Sequence, residues 1–162
     1  MFNIDSTAPN QVVFEAMTDG LQLPGQEGKL LALRREFFYD NSRLDICAED
    51  ERGKWLIEIK GVTLRINNLA LFPDAPTERG IKHLETLMSA QNTGYRCAIV
   101  FVVQMEKAEG FAPNINAHRE FAHALLRARN HGVQALAYLC RVSPEQIALA
   151  ERIPVYMEER NI

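Results

Sequence analysis

Three stretches of the chain place apolar residues three or four positions apart, which is the spacing of one face of an α-helix. The first has Asn10 as its predicted N-cap and stops at Gly20, and the second opens on Thr77, which also favours the N-cap position. The third ends at Gly132, a residue type favoured just beyond helix C-termini. The three predicted helices are residues 10–20, 77–94 and 114–132.

The remaining apolar segments have the patterns of β-strands. Two near-continuous runs, YRCAIVFVVQM and VQALAYLCRV, are typical of strands that are buried on both faces. A hairpin is predicted within residues 42–64. Apart from the hairpin, the predicted strands are residues 29–39, 63–72, 95–105, 133–142 and 152–156, and these include the two buried runs.

The order of these elements predicts an α/β fold. The second half runs helix, strand, helix, strand, and such connections imply parallel strands with helices packed over the sheet faces. A hairpin precedes them, so the sheet is mixed. We therefore expect a three-layer sandwich, with the antiparallel hairpin first and helices on both faces of a mixed sheet, formed by a single domain over residues 1–162.

The register of the hairpin follows from its apolar residues. One register places Leu44 opposite Ile59 and Ile46 opposite Ile57, so that one face of the hairpin is wholly apolar. A slip by one residue would turn the apolar side chains of one strand to the wrong face. The pattern therefore selects the first register, and Trp55 is expected to join the core on the apolar face.

The same register brings two acids together. Asp45 lies directly opposite Glu58, at a Cβ separation of ~4.5–5.5 Å, and Lys60 shares their face. A divalent cation such as Mg²⁺ would relieve the repulsion between the carboxylates and could activate water for phosphodiester hydrolysis, with Lys60 orienting that water or neutralising charge. The alternative is an exposed set of cross-strand ion pairs without chemical function.

The helices offer weaker candidates. Glu15 on the first helix could supply a further metal ligand, and the alternative is an ordinary solvated helix face. The spacings of His118, His123 and His131 match no zinc site. The arginines of the last helix form either a modest basic face or ordinary surface charge.

Composition narrows the functional classes. The chain has 162 residues, of which 47% are apolar and 24% charged, as in average globular proteins. No apolar run is long enough for a membrane span and the N-terminus lacks a secretory signal, so the cytoplasm is the expected location. Three scattered cysteines indicate free thiols rather than a disulfide framework or zinc site. The net charge of −3 argues against a nucleic-acid coat protein, but it allows an enzyme that holds nucleic acid locally.

Sequence motifs exclude other kinds of chemistry. The chain has no P-loop and no GxGxxG, so we expect no nucleotide cofactor. It also has no GxSxG and no cysteine with a placed base, so a covalent nucleophile finds no support.

Four strings make the chain similar to a known family. SRLD, IEIKGVTL, ALFPDAPTERGIKHLETL and HGVQALAY resemble the sugar fermentation stimulation protein family, and the likeness runs from about residue 5 to residue 155. The resemblance implies a restriction-endonuclease-like fold of the PD-(D/E)xK type and binding to DNA, with a link to sugar metabolism genes. Family members usually carry an N-terminal oligonucleotide-binding-like (OB-like) barrel as well, which we expect this chain to lack.

The resemblance also assigns roles to individual residues. Asp45, Glu58 and the Ile59 carbonyl would ligate Mg²⁺ or Mn²⁺, and Lys60 would activate water. The residues expected to support the site are Thr63, Glu78, Arg79 and Glu15, and those expected to contact nucleic acid are Arg43 and Arg79. His83 also matches the family string, but a simple helix-surface position is the alternative for it.

Three functional hypotheses remain. The leading one is a metal-dependent nuclease that hydrolyses DNA or RNA. The second is a non-catalytic DNA-binding or regulatory module that retains a relic of the nuclease site, and the third is a structural or partner-binding domain. Nucleic acid, more specifically DNA, is the expected partner, together with a second copy of the chain or a separate chain that carries the barrel; no membrane partner is expected.

Overall fold

The computed structural model describes residues 8–157, which form three helices and nine strands. In chain order they are α1 (Ala8–Thr18), β1 (Ala32–Tyr39), β2 (Ser42–Asp50), β3 (Gly53–Val62), β4 (Leu64–Ile66), β5 (Leu69–Phe72), α2 (Glu78–Asn92), β6 (Arg96–Val103), β7 (Gly110–Pro113), α3 (Arg119–Asn130), β8 (Gln134–Val142) and β9 (Ile147–Ile153). None of these helices is long and apolar enough to cross a membrane.

Six strands form the main sheet, in the order β1-β2-β3-β6-β8-β9. β1, β2 and β3 pair antiparallel, β3, β6 and β8 pair parallel, and β9 returns antiparallel to β8. This confirms the predicted α/β class and the mixed sheet with its hairpin first. A second sheet of β4, β5 and β7 was not predicted, because its strands are only three or four residues long.

Two apolar clusters cover the two faces of the main sheet. Val13 and Met17 of α1 pack with Ile57 and Ile59 of β3 on one face. The other face packs against α2 and α3 through residues that include Leu84, Leu87, Phe121 and Leu125. The sheet therefore lies between helical layers, as expected, and its central strand β6 is buried on both sides from Cys97 to Val103.

The predicted hairpin register is confirmed at Ile46, which pairs with Ile57. The prediction that Leu44 shares the face of Ile46 was wrong. Leu44 packs in the cluster under α2 and α3, whereas Ile46 packs under α1. The strand changes sides at Asp45, whose carboxylate accepts a hydrogen bond from the Ile59 N–H. A side chain there takes the place of a backbone ladder bond, so the alternation of faces is interrupted.

Helix ends were predicted with mixed success. Thr77 is the N-cap of α2, since its hydroxyl accepts from the Gly80 N–H at 2.9 Å. Gly20 follows α1 with a φ of +111°, a conformation that suits glycine. However, α1 begins at Ala8, so Asn10 is inside the helix and is not its N-cap. α3 also begins later than predicted, at Arg119.

The strand predictions at the two ends of the second half also needed correction. Residues 63–72 form two short antiparallel strands rather than one extended segment. The last strand is β9, which lies before the predicted residues 152–156 and overlaps them only at its end. The three cysteines are free and buried, as expected, and burial raises the pKa of the thiols of Cys97 and Cys140 to about 12.

Candidate metal centre

Glu58 lies at the centre of a buried polar cluster on β3. Its side chain is 4% exposed, and its neighbours Ile57 and Ile59 point to the opposite face. Lys60 Nζ lies 3.1 Å from Glu58 Oε2, and His83 Nδ1 lies 2.8 Å from the same oxygen. One carboxylate oxygen is therefore held by a strand residue and a helix residue together.

The second oxygen of Glu58 is not paired with either of these residues. Glu58 Oε1 is buried and has no hydrogen-bond partner among the described residues. Burial acts to raise the pKa of this carboxyl, but the His83 hydrogen bond and the Lys60 charge outweigh it, so the pKa is lowered. An ionised carboxylate with one unsatisfied buried oxygen is costly unless a bound cation, or a proton held by the neighbouring carboxyl of Asp45, completes it.

Asp45 is held beside Glu58 by two hydrogen bonds. Its Oδ1 accepts from the Asn10 side-chain amide at 2.9 Å, and its Oδ2 accepts from the Ile59 N–H at 2.8 Å. Burial raises the pKa of Asp45 to about 7, and the negative charge of Glu58 adds to the increase. The charge of Glu58 thus disfavours ionisation of Asp45.

Gly61 allows α1 to reach this site. A Cβ atom at Gly61 would lie 2.9 Å from Cγ of Pro9, which real Cβ atoms essentially never do. The absence of a side chain on β3 therefore lets the first turn of α1 approach the strand and present Asn10 to Asp45.

The structure brings Asp45, Glu58 and Lys60 together as predicted, but no hydrogen bond or ion pair among the described residues joins the supporting candidates to them. Thr63 and Arg79 are exposed, and Arg79 lies one helical turn before His83. The remaining three have other neighbours: Glu15 lines a groove with residues 145–149, Glu78 lies 3.7 Å from His118, and Arg43 pairs with Glu36 at 3.8 Å.

Two residues of the cluster were missed or given too little weight. Asn10 was interpreted as a helix cap, and its real position could have been inferred from Pro9, a residue favoured in the first turn of helices. For His83 the sequence left a helix-surface position open as the alternative, yet its side chain is only 6% exposed. Its position one residue before the buried Leu84 was the available signal, because both lie on the core side of α2.

The donor set suits a hard divalent cation. Mg²⁺ and Mn²⁺ take carboxylate and carbonyl oxygens and keep several waters. Here two carboxyl groups lie side by side, and one oxygen of Glu58 has no partner within the described range. No group of three or more His, Cys, Asp or Glu side chains that could hold an ion occurs in residues 8–157. The other ligands would therefore come from the main chain, such as the Ile59 carbonyl, and from water or substrate.

Comparison with known proteins identifies the family. The family model described as sugar fermentation stimulation protein RE domain matches residues 7–146 of the chain. The chain belongs to the sugar fermentation stimulation protein family. A homologue of this family from Ruminiclostridium cellulolyticum is 42% identical over 153 residues, covering 94% of this chain and 66% of that protein. Another, from Desulfitobacterium hafniense strain Y51, is 40% identical over 159 residues, covering 98% and 68%.

A solved family structure has the same fold. The protein from Pyrococcus furiosus, determined in complex with Ca²⁺, superposes with a TM-score of 0.84 at 27% identity. The match covers 94% of this chain and 66% of the Pyrococcus furiosus chain. The chain thus spans about two thirds of the length of these sugar fermentation stimulation proteins.

Replacing Asp45 with asparagine is expected to stabilise the metal-free protein at high pH. The pKa of Asp45 rises from its ordinary 3.8 to about 7 on folding, so the folded state binds a proton more tightly and the free energy of unfolding decreases as pH rises between those values. In EDTA, the free energy of unfolding of Asp45→Asn should exceed that of the wild type by about 1–3 kcal/mol more at pH 8 than at pH 4. The NH₂ group of the new residue can donate to the Asn10 side-chain oxygen once that amide turns over, and its own oxygen still accepts from the Ile59 N–H, so both hydrogen bonds are kept.

Urea unfolding at both pH values measures this difference. The matched control is Asp74→Asn at an exposed loop position, which should change neither stability nor its pH dependence. If the stability of the Asp45 variant relative to the wild type is the same at both pH values, the pKa of Asp45 is not raised on folding.

Proposed function

We propose that this domain is a metal-dependent nucleic-acid phosphodiesterase with a restriction-endonuclease-like fold of the PD-(D/E)xK type. One observation carries the proposal: the ionised Glu58 keeps a buried oxygen without a partner in residues 8–157, beside a second carboxyl, Asp45, whose own ionisation is disfavoured. This is the arrangement that a bound dication would stabilise, because its charge favours both carboxylates at once.

The roles of the side chains follow from their contacts. A Mg²⁺ or Mn²⁺ ion bound here would polarise a phosphodiester and lower the pKa of a water molecule. Asp45 and Glu58 supply the ligand oxygens, and Asn10 and the Ile59 N–H hold the carboxylate of Asp45 in place. The Lys60 ammonium, bound to Glu58 Oε2, keeps further N–H donors with which it orients water or stabilises developing negative charge.

The substrate assignment rests on charge and on the family. Arg79 is exposed at the start of α2, one turn before the buried His83, where a guanidinium could meet a phosphate. Arg43 is exposed two residues before Asp45. The Pyrococcus furiosus relative, at 27% identity, was solved with Ca²⁺, an ion that prefers oxygen ligands as Mg²⁺ does. DNA is the proposed substrate, with RNA as the other candidate.

A cleavage assay tests the proposal. End-labelled single- and double-stranded DNA and RNA would be incubated with the whole chain at low salt, where phosphate contacts are strongest, with Mg²⁺, with Mn²⁺ or with EDTA. We expect cleavage with metal, none with EDTA and none by the double variant Asp45→Asn/Glu58→Gln. The Asp74→Asn protein should cut as the wild type does. The proposal fails if no substrate is cut, or if the double variant cuts equally.

A non-catalytic nucleic-acid-binding module is the second candidate. It is favoured by the small number of ligand side chains, since only two carboxylates line the site and no larger cluster of metal-binding side chains occurs in the described range. Metal-independent binding of DNA, with an affinity that falls linearly with salt on logarithmic axes and is unchanged in the double variant, would identify this function.

A further inference from the structure

His83 is the helix residue that holds Glu58. Its Nδ1 lies 2.8 Å from Glu58 Oε2 and 2.9 Å from Lys60 Nζ, and its side chain is 6% exposed. A lysine ammonium can only donate and a carboxylate can only accept, so a single ring nitrogen cannot serve both partners at once. We assign the Nδ1 proton to Glu58, because an ionised carboxylate must accept whereas the Lys60 ammonium can donate to the same oxygen; Lys60 and His83 then both donate to Oε2.

The two oxygens of Glu58 are therefore in different environments. Oε2 has two donors, whereas Oε1 is buried and has no partner among residues 8–157. The terminal torsion of a glutamate is broad, so the plane of its carboxylate is set by hydrogen bonds rather than by an intrinsic rotamer. The lysine has a flexible four-carbon chain, and therefore the rigid ring is the partner that can fix that plane.

The backbone holds the ring in place. His83 lies in the second turn of α2, whose start is fixed by the Thr77 cap. At Gly80 a Cβ atom would lie 3.1 Å from the ring of Phe121 on α3, so the two helices approach closely there. The adjacent Leu84 is fully buried in the core. The position of the imidazole relative to β3 is therefore set by helix packing.

We propose that His83 is a positioning residue of the metal centre, which fixes the carboxylate plane of Glu58 so that the unpartnered oxygen is available to a divalent cation beside Asp45. This inference rests on the proposed metal site and assigns to it a residue outside the Asp, Glu and Lys set. In metal sites, groups that orient the ligands typically contribute 10–100-fold to metal affinity.

The alternative role for His83 is simple packing between α2 and β3, and side-chain geometry separates the two. The amide nitrogen of asparagine can occupy the place of imidazole Nδ1, whereas that of glutamine reaches the place of Nε2. Glutamine is closer to histidine in volume, so a packing role predicts that His83→Gln is the milder change. A positioning role predicts the reverse, because only His83→Asn keeps a donor at Glu58 Oε2.

The test measures the dissociation constant of Mn²⁺ alone by isothermal titration calorimetry at pH 8. The proteins are the wild type, His83→Asn, His83→Gln and His83→Ala, with His123→Asn on the exposed face of α3 as the control. We expect His83→Gln and His83→Ala to weaken Mn²⁺ binding about 10–100-fold, and His83→Asn and the control to stay within about threefold of the wild type. Circular dichroism melting confirms that each variant is folded.

The outcomes separate this inference from the function on which it rests. Wild-type affinity in a folded His83→Ala, or a better affinity in His83→Gln than in His83→Asn, overturns the positioning role while the metal site stands. If the wild type binds no Mn²⁺, or if Asp45→Asn binds Mn²⁺ as tightly as the wild type does, the proposed metal site is wrong. The positioning role of His83 is then wrong as well.

Discussion

Replacing Lys60 with methionine is expected to lower the rate of metal-dependent cleavage by about 10²–10⁴-fold. The ammonium lies 3.1 Å from Glu58 Oε2 and its side chain is largely buried, so charge at this position acts in a medium that screens it weakly. Methionine keeps an unbranched side chain of similar length and removes the charge and the donors. The rate should be measured under single-turnover conditions, so that product release does not hide the chemical step.

Affinity for Mn²⁺ should not weaken in the same variant. Lys60 is a cation beside the proposed metal ligands, and its removal takes away a repulsive charge rather than a ligand. Lys82→Met, at an exposed position of α2, is the control and should retain wild-type cleavage. If the folded Lys60→Met protein cleaves at a rate within about threefold of the wild type, Lys60 takes no part in the chemical step.

The part of the site that lies on the hairpin could be predicted because strand pairing has a period of two. Once Ile46 is placed opposite Ile57, alternation along β3 puts Glu58 and Lys60 together on the face opposite Ile57. Alternation also predicts Asp45 beside Glu58, although the ladder ends at Ile46 and the Asp45 carboxylate accepts the Ile59 N–H instead. The cap at Thr77 was predictable for a similar reason, since it depends on residues only three positions apart.

The contributions of the helices could not be predicted in this way. Asn10 reaches Asp45 across 35 positions of sequence, and His83 reaches Lys60 across 23. Such contacts depend on how closely a helix approaches the sheet. That distance is set by the size of residues at other positions: at Gly61, for example, the absence of a Cβ leaves room for Pro9. Periodicity identifies the buried side of a helix but not the polar group that it meets.

The wrong face of Leu44 and the unpredicted second sheet have another cause. Alternation assumes regular pairing, and the pairing is interrupted where the Asp45 carboxylate accepts the Ile59 N–H. β4, β5 and β7 are too short to show a period of two, so their pairing depends on the strands and helices around them. Irregular pairing of this kind is common next to functional sites.

Replacing Asp50 with asparagine is expected to destabilise the protein by about 3–5 kcal/mol, the largest loss of stability that we predict for a single substitution. The Asp50 side chain is fully buried at the end of β2. One of its oxygens accepts from the N–H groups of Arg52 and Gly53 and from the Arg96 guanidinium, and the other accepts from the Glu27 N–H and the Trp55 indole. Every lone pair of the carboxylate is used.

Asparagine has nearly the same size but turns one of these oxygens into a donor. Two or three N–H groups would then face an NH₂ group and lose their acceptor, and Arg96 would become a partly buried charge without its counter-ion. Arg96 also donates to the Gly25 carbonyl and stacks over the Trp55 ring at 4.5 Å, so the loop before β1 should loosen as well.

The pH dependence of this loss provides a second readout. Burial acts to raise the pKa of Asp50, but the donors from Glu27, Trp55, Arg52 and Arg96 outweigh it and hold the pKa well below its usual range. Its contribution to the free energy of unfolding is therefore present above pH ~4 and is lost as pH falls below that value. The difference in the free energy of unfolding between the wild type and Asp50→Asn should therefore become smaller at acid pH.

Urea unfolding at pH 7 and at pH 3 measures both effects. Asp40→Asn is the matched control, because Asp40 lies in an exposed turn with a φ of +52°, which asparagine tolerates. The Asp50 cluster closes the turn end of the hairpin that carries Asp45 and Glu58. A loss below about 1 kcal/mol at pH 7, which is typical of an exposed ion pair, would mean that this turn is held by its backbone pairing alone.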